Sequence, residues 1–338
     1  MTARPKLIFT VDVEEDMPEW RITDPVTTTN IRSLPRLDRA VRALGVRPTY
    51  LVNYPVATFP ESRAILAELA IHADTEIGTH LHPWNTPPYL GLPGFEGDER
   101  TTPYYMSALG PERFRAKLRE LHGVLTELAG TPPVSFRAGR YGIDEATLAE
   151  LLPLGYLVDT SVTPLSAHTA DGGPDFRRAP QLPYRPSAAD LCRPGDVPIL
   201  EIPVSVALTR RVPRRLADAY VHLPAWTRVR GLLSRDHLGL IDFAWLYPVR
   251  FGVPEMKAAA SRLVEMGSPV LNVFLHSSEV HPGVSGRIAS AADVDACLAR
   301  LDDLLRFCID ELGAEPATLA EAARALRPAH GLTPAKSA

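Results

Sequence analysis

Two kinds of apolar run alternate along this chain, and their order constrains the fold more than any other feature. "KLIFTVDV" (residues 6–13), "PTYLVNY", "TEIGTHL", "VSFRAG", "YLVDTSV", "PILEIPVSVAL" and "SPVLNVFLHSS" are short and rich in β-forming residues, and several have the continuous apolar centre of a strand buried on both faces. Between them lie segments with apolar residues three and four apart. "IRSLPRLDRAVRALGV" sets Leu34, Leu37, Val41 and Leu44 on one helical face. "PERFRAKLRELHGVLTELAG" opens on Pro111 and closes on Gly130, the ends a helix favours. "AADVDACLARLDDLLRFCIDEL" and "ATLAEAARAL" are further amphipathic helices. Repeated strand-then-helix units make a parallel sheet, either open or closed into a barrel. The 33 prolines gather in connections, notably 83–103 and 164–198, which are candidate walls of a site.

The first strand runs into "TVDVEED", placing Asp12, Glu14, Glu15 and Asp16 within a few residues. Crowded carboxylates repel and raise one another's pKa, so they need either a solvated turn or a cation. Side chains on a strand repeat every two residues, so Asp12 and Glu14 share one side and Val11 and Val13 the other. The third strand, "EIGTHLHPW", ends on His80 and His82 with the same two-residue spacing. Two imidazoles and one carboxylate make a catalytic metal set with an open position, and Glu14, His80 and His82 supply it. Zinc is the default ion for that set, with cobalt, nickel or manganese as alternatives.

Three more strand ends carry reactive groups: Arg137 in "SFRAGRYG", Asp159 in "YLVDTSVTP" and His276 in "LNVFLHSSEVHPG". In a β/α barrel, chemistry gathers at these C-terminal ends. Asp12 can accept a proton from water, Arg137 can hold Asp12 ionised, and His276 can protonate a leaving amine. Asp159 can orient His276 and raise its pKa, and His281 and Glu279 in the same loop are the next candidate proton donors. Singly, each has a structural explanation, because a histidine beside a loop is more often a hydrogen-bonded surface group. Together they describe metal-assisted hydrolysis of an amide. Trp20, Trp84 and Tyr89 follow these motifs and either stack on a sugar ring or pack the rim.

Taken in order, "FTVDVEED", "EIGTHLHPW", "FRAGRYG", "LVDTSVTP" and "FLHSSEVHPG" resemble the polysaccharide deacetylases, the NodB-homology group or carbohydrate esterase family 4. The resemblance spans most of the chain. It implies an α/β fold, a distorted (β/α) barrel of seven or eight parallel strands with its active site at their C-terminal ends. It also implies one divalent metal and removal of an acyl group from an N-acyl sugar. Asp12 matches the family's base, Arg137 its tethering arginine, His276 its acid histidine and Asp159 its fourth-motif aspartate. Tyr141 falls near the position whose backbone N–H binds the oxyanion. Two departures stand out. Val13 separates Asp12 from Glu14 where the family has adjacent aspartates, and Trp84 stands where its second histidine would be, leaving His82 as the partner of His80. A single barrel over residues 1–326 is expected, with insertions around 83–110 and 164–250 and a flexible tail at 327–338.

Bulk properties narrow the partners. The net charge of −4 argues against nucleic acid, and no apolar run is long enough for a membrane span. Neither common Gly-rich phosphate fingerprint is present. "MTARPKLIFTV" enters the first strand with no leader-like segment, and Cys192, Cys297 and Cys308 have no metal-type spacing, so a cytoplasmic setting is expected. The expected substrate is therefore a small N-acyl sugar or glycoside. A deformylase or ureide hydrolase, and an inactive carbohydrate-binding barrel, are the alternatives. One stretch, 208–237, is strongly basic, and reads as a solvated helix face or as an anion-binding lip.

Overall fold

The computed structural model describes residues 4–18, 21–23, 25–72, 74–89, 105–223 and 242–326. Trp20, most of the 83–110 insertion, residues 224–237 of the basic stretch and the 327–338 tail lie outside the described residues.

Seven parallel strands form the barrel: β1 (Lys6–Val13), β2 (Pro48–Val52), β3 (Glu76–Leu81), β4 (Ser135–Ala138), β5 (Val158–Asp159), β6 (Leu200–Glu201) and β7 (Val270–His276). Their spatial order is β7-β1-β2-β3-β4-β5-β6, and an eighth strand, β8 (Glu315–Pro316), pairs with the first two residues of β1. This is the expected distorted (β/α) barrel. The helices that cover it are α1 (Leu34–Arg42), α2 (Pro60–Ala70), α3 (Pro111–Ala129), α4 (Glu145–Leu151), α5 (Val253–Glu265), α6 (Ala291–Arg306) and α7 (Leu319–Leu326).

The period-2 rule sorts β1 into its two environments. Leu7, Phe9, Val11 and Val13 are fully buried in the main core with helix residues such as Leu37, Leu118 and Leu301. Ile8 faces the other way, with α7 residues Leu319, Ala322 and Ala323, which close the N-terminal mouth of the barrel. Thr10 and Asp12 continue that inward side. The barrel lumen thus changes from apolar at the bottom to polar at the top within one strand. Gly130 ends α3 in the left-handed region (φ 69), where a residue without Cβ is unstrained.

"PILEIPVSVAL" departs from the expected single strand. Leu200–Glu201 belongs to the barrel, whereas Val206–Leu208 pairs antiparallel with Phe243–Trp245 in a separate hairpin. Pro203 between them has no N–H to give to a ladder. The break matters because β6 and β7 form no ladder with each other among the described residues. Asn272 spans that seam instead. Its N–H donates to Ser205 Oγ (2.8 Å), and its side-chain amide donates to Thr160 Oγ1 (2.9 Å) and accepts from Thr10 Oγ1 (3.2 Å). Asn272→Ala removes both side-chain bonds and leaves the buried Thr10 hydroxyl hydrogen without its acceptor, so it is expected to lower unfolding free energy by about 1–3 kcal/mol in urea titration.

Candidate active site

A cavity of about 230 Å3 opens at the C-terminal ends of the strands, lined in part by Asp12, Glu14, His80, His82, Tyr141 and His276. Six of the nine residues singled out in the sequence therefore meet in one place, although they come from four strand ends. Arg137 lies just beneath. Asp159 and Trp84 do not line this cavity.

Arg137 is fully buried and sets the geometry. Its Nη1 donates to Asp12 Oδ1 (2.6 Å), its Nη2 to Thr10 Oγ1 (2.9 Å) and its Nε to the Thr160 carbonyl (3.0 Å). Asp12 Oδ1 is thereby fixed, and Oδ2 is turned toward His276 Nε2 at 3.7 Å. The other ring nitrogen, His276 Nδ1, lies 3.1 Å from Glu279 Oε2, and the same oxygen accepts the His276 backbone N–H (2.9 Å). Burial disfavours the His276 cation, but the Glu279 charge and hydrogen bond, with Glu14 and Asp12 behind them, push the ring up to about 9.

The expected link between Asp159 and His276 is not formed. Asp159 accepts from Ser161 Oγ (2.6 Å) and is hydrogen-bonded to Glu201, its register neighbour on β6. Strand β5 is only two residues long, so Asp159 is held within the wall and stays out of the cavity. Glu279, named in the sequence as a candidate proton donor, takes the orienting position. It is fully buried and also accepts from the Tyr247 hydroxyl.

Glu14, His80 and His82 converge on the opposite side. Glu14 Oε2 is 3.4 Å from His80 Nε2 and 3.3 Å from His82 Nε2, and the two Nε2 atoms are 2.9 Å apart. His80 Nδ1 faces the Arg137 carbonyl (3.1 Å) and His82 Nδ1 faces Glu15 Oε1 (3.3 Å). Both of those oxygens only accept, so each Nδ1 carries a hydrogen, and a ring with no second proton turns an Nε2 lone pair inward. Glu14 Oε1 is buried with no hydrogen-bond partner. With the rings in that form, three electron-pair donors face one point, the arrangement a bound cation needs. Zinc bonds of about 2.0–2.1 Å at tetrahedral angles put ligand atoms roughly 3.3 Å apart. Two of the three separations have that value and the third is shorter, so the set fits a divalent cation. With no ion in place, a ring hydrogen on Nε2 points at Glu14 instead: burial would raise the Glu14 carboxyl, but hydrogen bonds from His80 and His82 hold it well below the ordinary carboxylate range, and burial of the His82 ring is outweighed by Glu15 and Glu14, which push it up to about 9.

The remaining acids of "VDVEED" have separate tasks. Glu15 sits behind His82 and accepts from Trp84 Nε1 (2.8 Å) and from Asn53. Asp16 accepts the Thr29 and Asn30 backbone N–H groups (2.8 and 2.9 Å) and organises a turn. Glu15 was missed in the sequence because the strand ends at Val13, after which parity no longer assigns a side. Trp84 is a packing residue, a correction to its expected sugar-stacking role. Its ring is 4.3 Å from that of His82 and it is 7% exposed. Tyr89 is more open, its hydroxyl on the Asn85 carbonyl (2.7 Å). Arg140 and Tyr141 both adopt left-handed φ (52° and 58°), a backbone state that costs non-glycine residues roughly 1–2 kcal/mol each. That turn presents Tyr141 to the cavity, and its buried hydroxyl has no partner among the described residues. Met17, Tyr105, Ala138, Arg140, His168 and Asp171 complete the lining, and no spacing in the sequence announced them.

No family model matches the sequence, and no curated protein does. Solved structures do resemble the fold. A Mycobacterium smegmatis protein assigned as a polysaccharide deacetylase aligns with 97% of this chain and 92% of its own (TM-score 0.53, 17% identity). A Parabacteroides distasonis protein assigned as a glycoside hydrolase/deacetylase aligns over 97% and 72% (TM-score 0.63, 14% identity). PuuE allantoinase aligns over 98% and 93% (TM-score 0.57, 16% identity). At these identities the likeness establishes the fold, the barrel that these structures share.

Two substitutions separate a ligand set from a hydrogen-bonded cluster. Glu15→Gln keeps the three inward donors but removes the charge behind His82, so metal affinity measured by competition with a chelator is expected to fall about 10–100-fold. Gly139→Ala would place a Cβ against the His82 ring and 2.8 Å from the Leu81 carbonyl, and is expected to lower bound metal as well. Unchanged metal content in both variants excludes His82 as a ligand.

Proposed function

We propose that this protein is a metal-dependent hydrolase of a C–N bond, acting as a de-N-acylase on an N-acetylated sugar or sugar-containing metabolite. The observation that carries the reading is the division of one cavity between an inward-facing Glu14–His80–His82 set and the Asp12–His276 pair on its other wall. The likeness of the fold to proteins assigned as deacetylases supports the choice of substrate class.

Glu14, His80 and His82 would hold the cation. When bound there, a divalent metal polarises an acyl carbonyl and makes water acidic. The protein groups supply the rest. Asp12 Oδ2, left available because Arg137 holds Oδ1, accepts the proton of the attacking water. His276 Nε2 donates a proton to the leaving nitrogen, and Glu279 on Nδ1 holds the ring in its charged form until then. Tyr141 offers its hydroxyl to the substrate. Burial, with nearby Asp12 and Glu279, pushes that phenol well above its usual pKa, so it stays neutral and able to donate.

A ureide hydrolase is the second reading, favoured by the TM-score of 0.57 to an allantoinase. Incubation with N-acetylhexosamine derivatives and, separately, with allantoin distinguishes the two, because only the first releases acetate. Asp12→Asn is expected to lower kcat about 10²–10⁴-fold while keeping metal. Metal loss in that variant would make Asp12 a ligand.

The pH dependence has a definite sign. His276 must be protonated to serve the leaving group, and its folded pKa is raised to about 9, so activity is present at neutral pH and falls as pH rises through that region. Glu279→Gln removes the first-ranked stabiliser of the cation, so the alkaline midpoint is expected to move toward the ordinary histidine value. Asp159→Asn should leave that midpoint in place. A midpoint that ignores Glu279→Gln would assign the limb to another group.

A further inference from the structure

The segment 163–179 separates two cavities. It gives His168 and Asp171 to the cavity already described, and Leu165, Arg177, Arg178 and Ala179 to a second one of about 1000 Å3. Five arginines line the second cavity, Arg177, Arg178, Arg193, Arg210 and Arg262, together with His222; no carboxylate lines it among the described residues, Asp175 and Asp190 lining the adjoining recess that shares Arg177, Arg178, Arg193 and His222. For a chain of net charge −4 this is a marked local excess. Three of the five have acidic partners on the outside: Arg177 Nε donates to Asp175 (2.8 Å), Arg193 pairs with Asp190 (2.9 Å), and Arg262 pairs with Glu265. Glu265 is shared with Arg211 (3.1 Å), so six guanidinium groups meet three carboxylates. Arg178 and Arg210 pair with no carboxylate among the described residues, and Arg178 Nε donates to His222 Nε2 (3.3 Å).

The charges do not come from one solvated helix face. They arrive from the 164–194 connection, from the hairpin that follows Val206–Leu208, and from α5. Between them the lining is apolar: Ala207, Leu208, Val212 and Met266. Converging guanidinium groups repel one another unless an anion lies between them, and their planar forks match phosphate oxygens in pairs. We propose that this cavity binds a phosphate or diphosphate group, with its apolar patch against the moiety that carries it. The described part of the basic stretch at 208–237, which the catalytic reading does not use, contributes Arg210 and His222 to this site.

Calorimetric titration of the full chain with sodium pyrophosphate tests the proposal without relying on catalysis. Saturable binding is expected, weakening as salt rises. Arg178→Gln/Arg210→Gln, both exposed positions outside the catalytic cavity, should weaken binding at least about tenfold with Tm unchanged. Arg115→Gln/Arg119→Gln removes the same charge from α3 and should leave it intact. Displacement of pyrophosphate by a nucleoside diphosphate would identify a nucleotide-borne group, and co-sedimentation with phosphatidate vesicles a lipid-borne one. Displacement by neither leaves a free or sugar phosphate. No saturable binding, equal loss in both arginine pairs, or loss in His80→Ala instead of Arg178→Gln/Arg210→Gln overturns the proposal. The last result would put the anion on the Glu14–His80–His82 set.

Discussion

The buried guanidinium of Arg137 is the interaction on which the site depends. It lies across the lumen with no exposure, and its donors reach β1 through Thr10 and Asp12 and the end of β5 through Thr160. Its own carbonyl receives His80 Nδ1, and its cation lies over the Phe274 ring at 5.7 Å. One side chain therefore fixes the oxygen that Asp12 leaves for chemistry, while its backbone fixes the ring of His80. Breaking a buried pair from one side typically costs about 3–5 kcal/mol, because the other charge is left uncompensated. The geometry of the site and the stability of the barrel are thus coupled through the same bonds.

That arrangement explains the acid pair below it. Asp159 and Glu201 are fully buried on adjacent strands, and two full charges there would compete with Asp12 for Arg137. Burial, reinforced by Asp159, pushes Glu201 well above the carboxylate range, so the pair holds a proton and Glu201 donates to Asp159. Burial also raises Asp159, opposed by Glu201, Ser161 and Arg137. Arg137 then faces one dominant anion, Asp12. Asp159 contributes indirectly: it holds Ser161 Oγ, which accepts the Ala138 N–H (2.8 Å) at the turn carrying Gly139–Tyr141.

What the sequence revealed follows from period and position. Alternating runs gave a parallel sheet, the family resemblance gave its closure into a distorted barrel, and parity placed Asp12 beside Glu14 and His80 beside His82, because those residues lie in or just beyond extended strands. The same logic failed where regular structure stopped. Past Val13 it could not say that Glu15 would turn behind His82 and Asp16 into a cap. Nor could it detect that Pro203 would split a run between barrel and hairpin. Asp159 was misassigned because a strand-end position did not reveal that its side chain would bond to Ser161 and Glu201 within the wall, whereas Glu279, three residues from His276, meets that histidine through a short helical turn. The rest of the cavity wall comes from irregular connections, whose contacts no local pattern encodes.

The two-residue spacing of His80 and His82 has a structural consequence beyond the ligand set. On an extended segment, residues two apart face one way, so both rings can reach Glu14 without a helix or turn to bring a more distant histidine round. Trp84 is then released from any ligand role. Its indole covers the far face of His82 and its N–H fixes Glu15, which in turn fixes His82 Nδ1. The chain from Trp84 through Glu15 to His82 orients that ring from behind, as the Arg137 carbonyl does for His80. With each ring locked by a different partner, Nε2 of both is forced inward, and the remaining freedom lies in Glu14, whose second oxygen is buried and unsatisfied. A carboxylate one methylene longer than aspartate can span the distance from β1 to both rings. That reach is the physical reason a D-x-E motif on β1 suits an H-x-H motif on β3, with β2 between them.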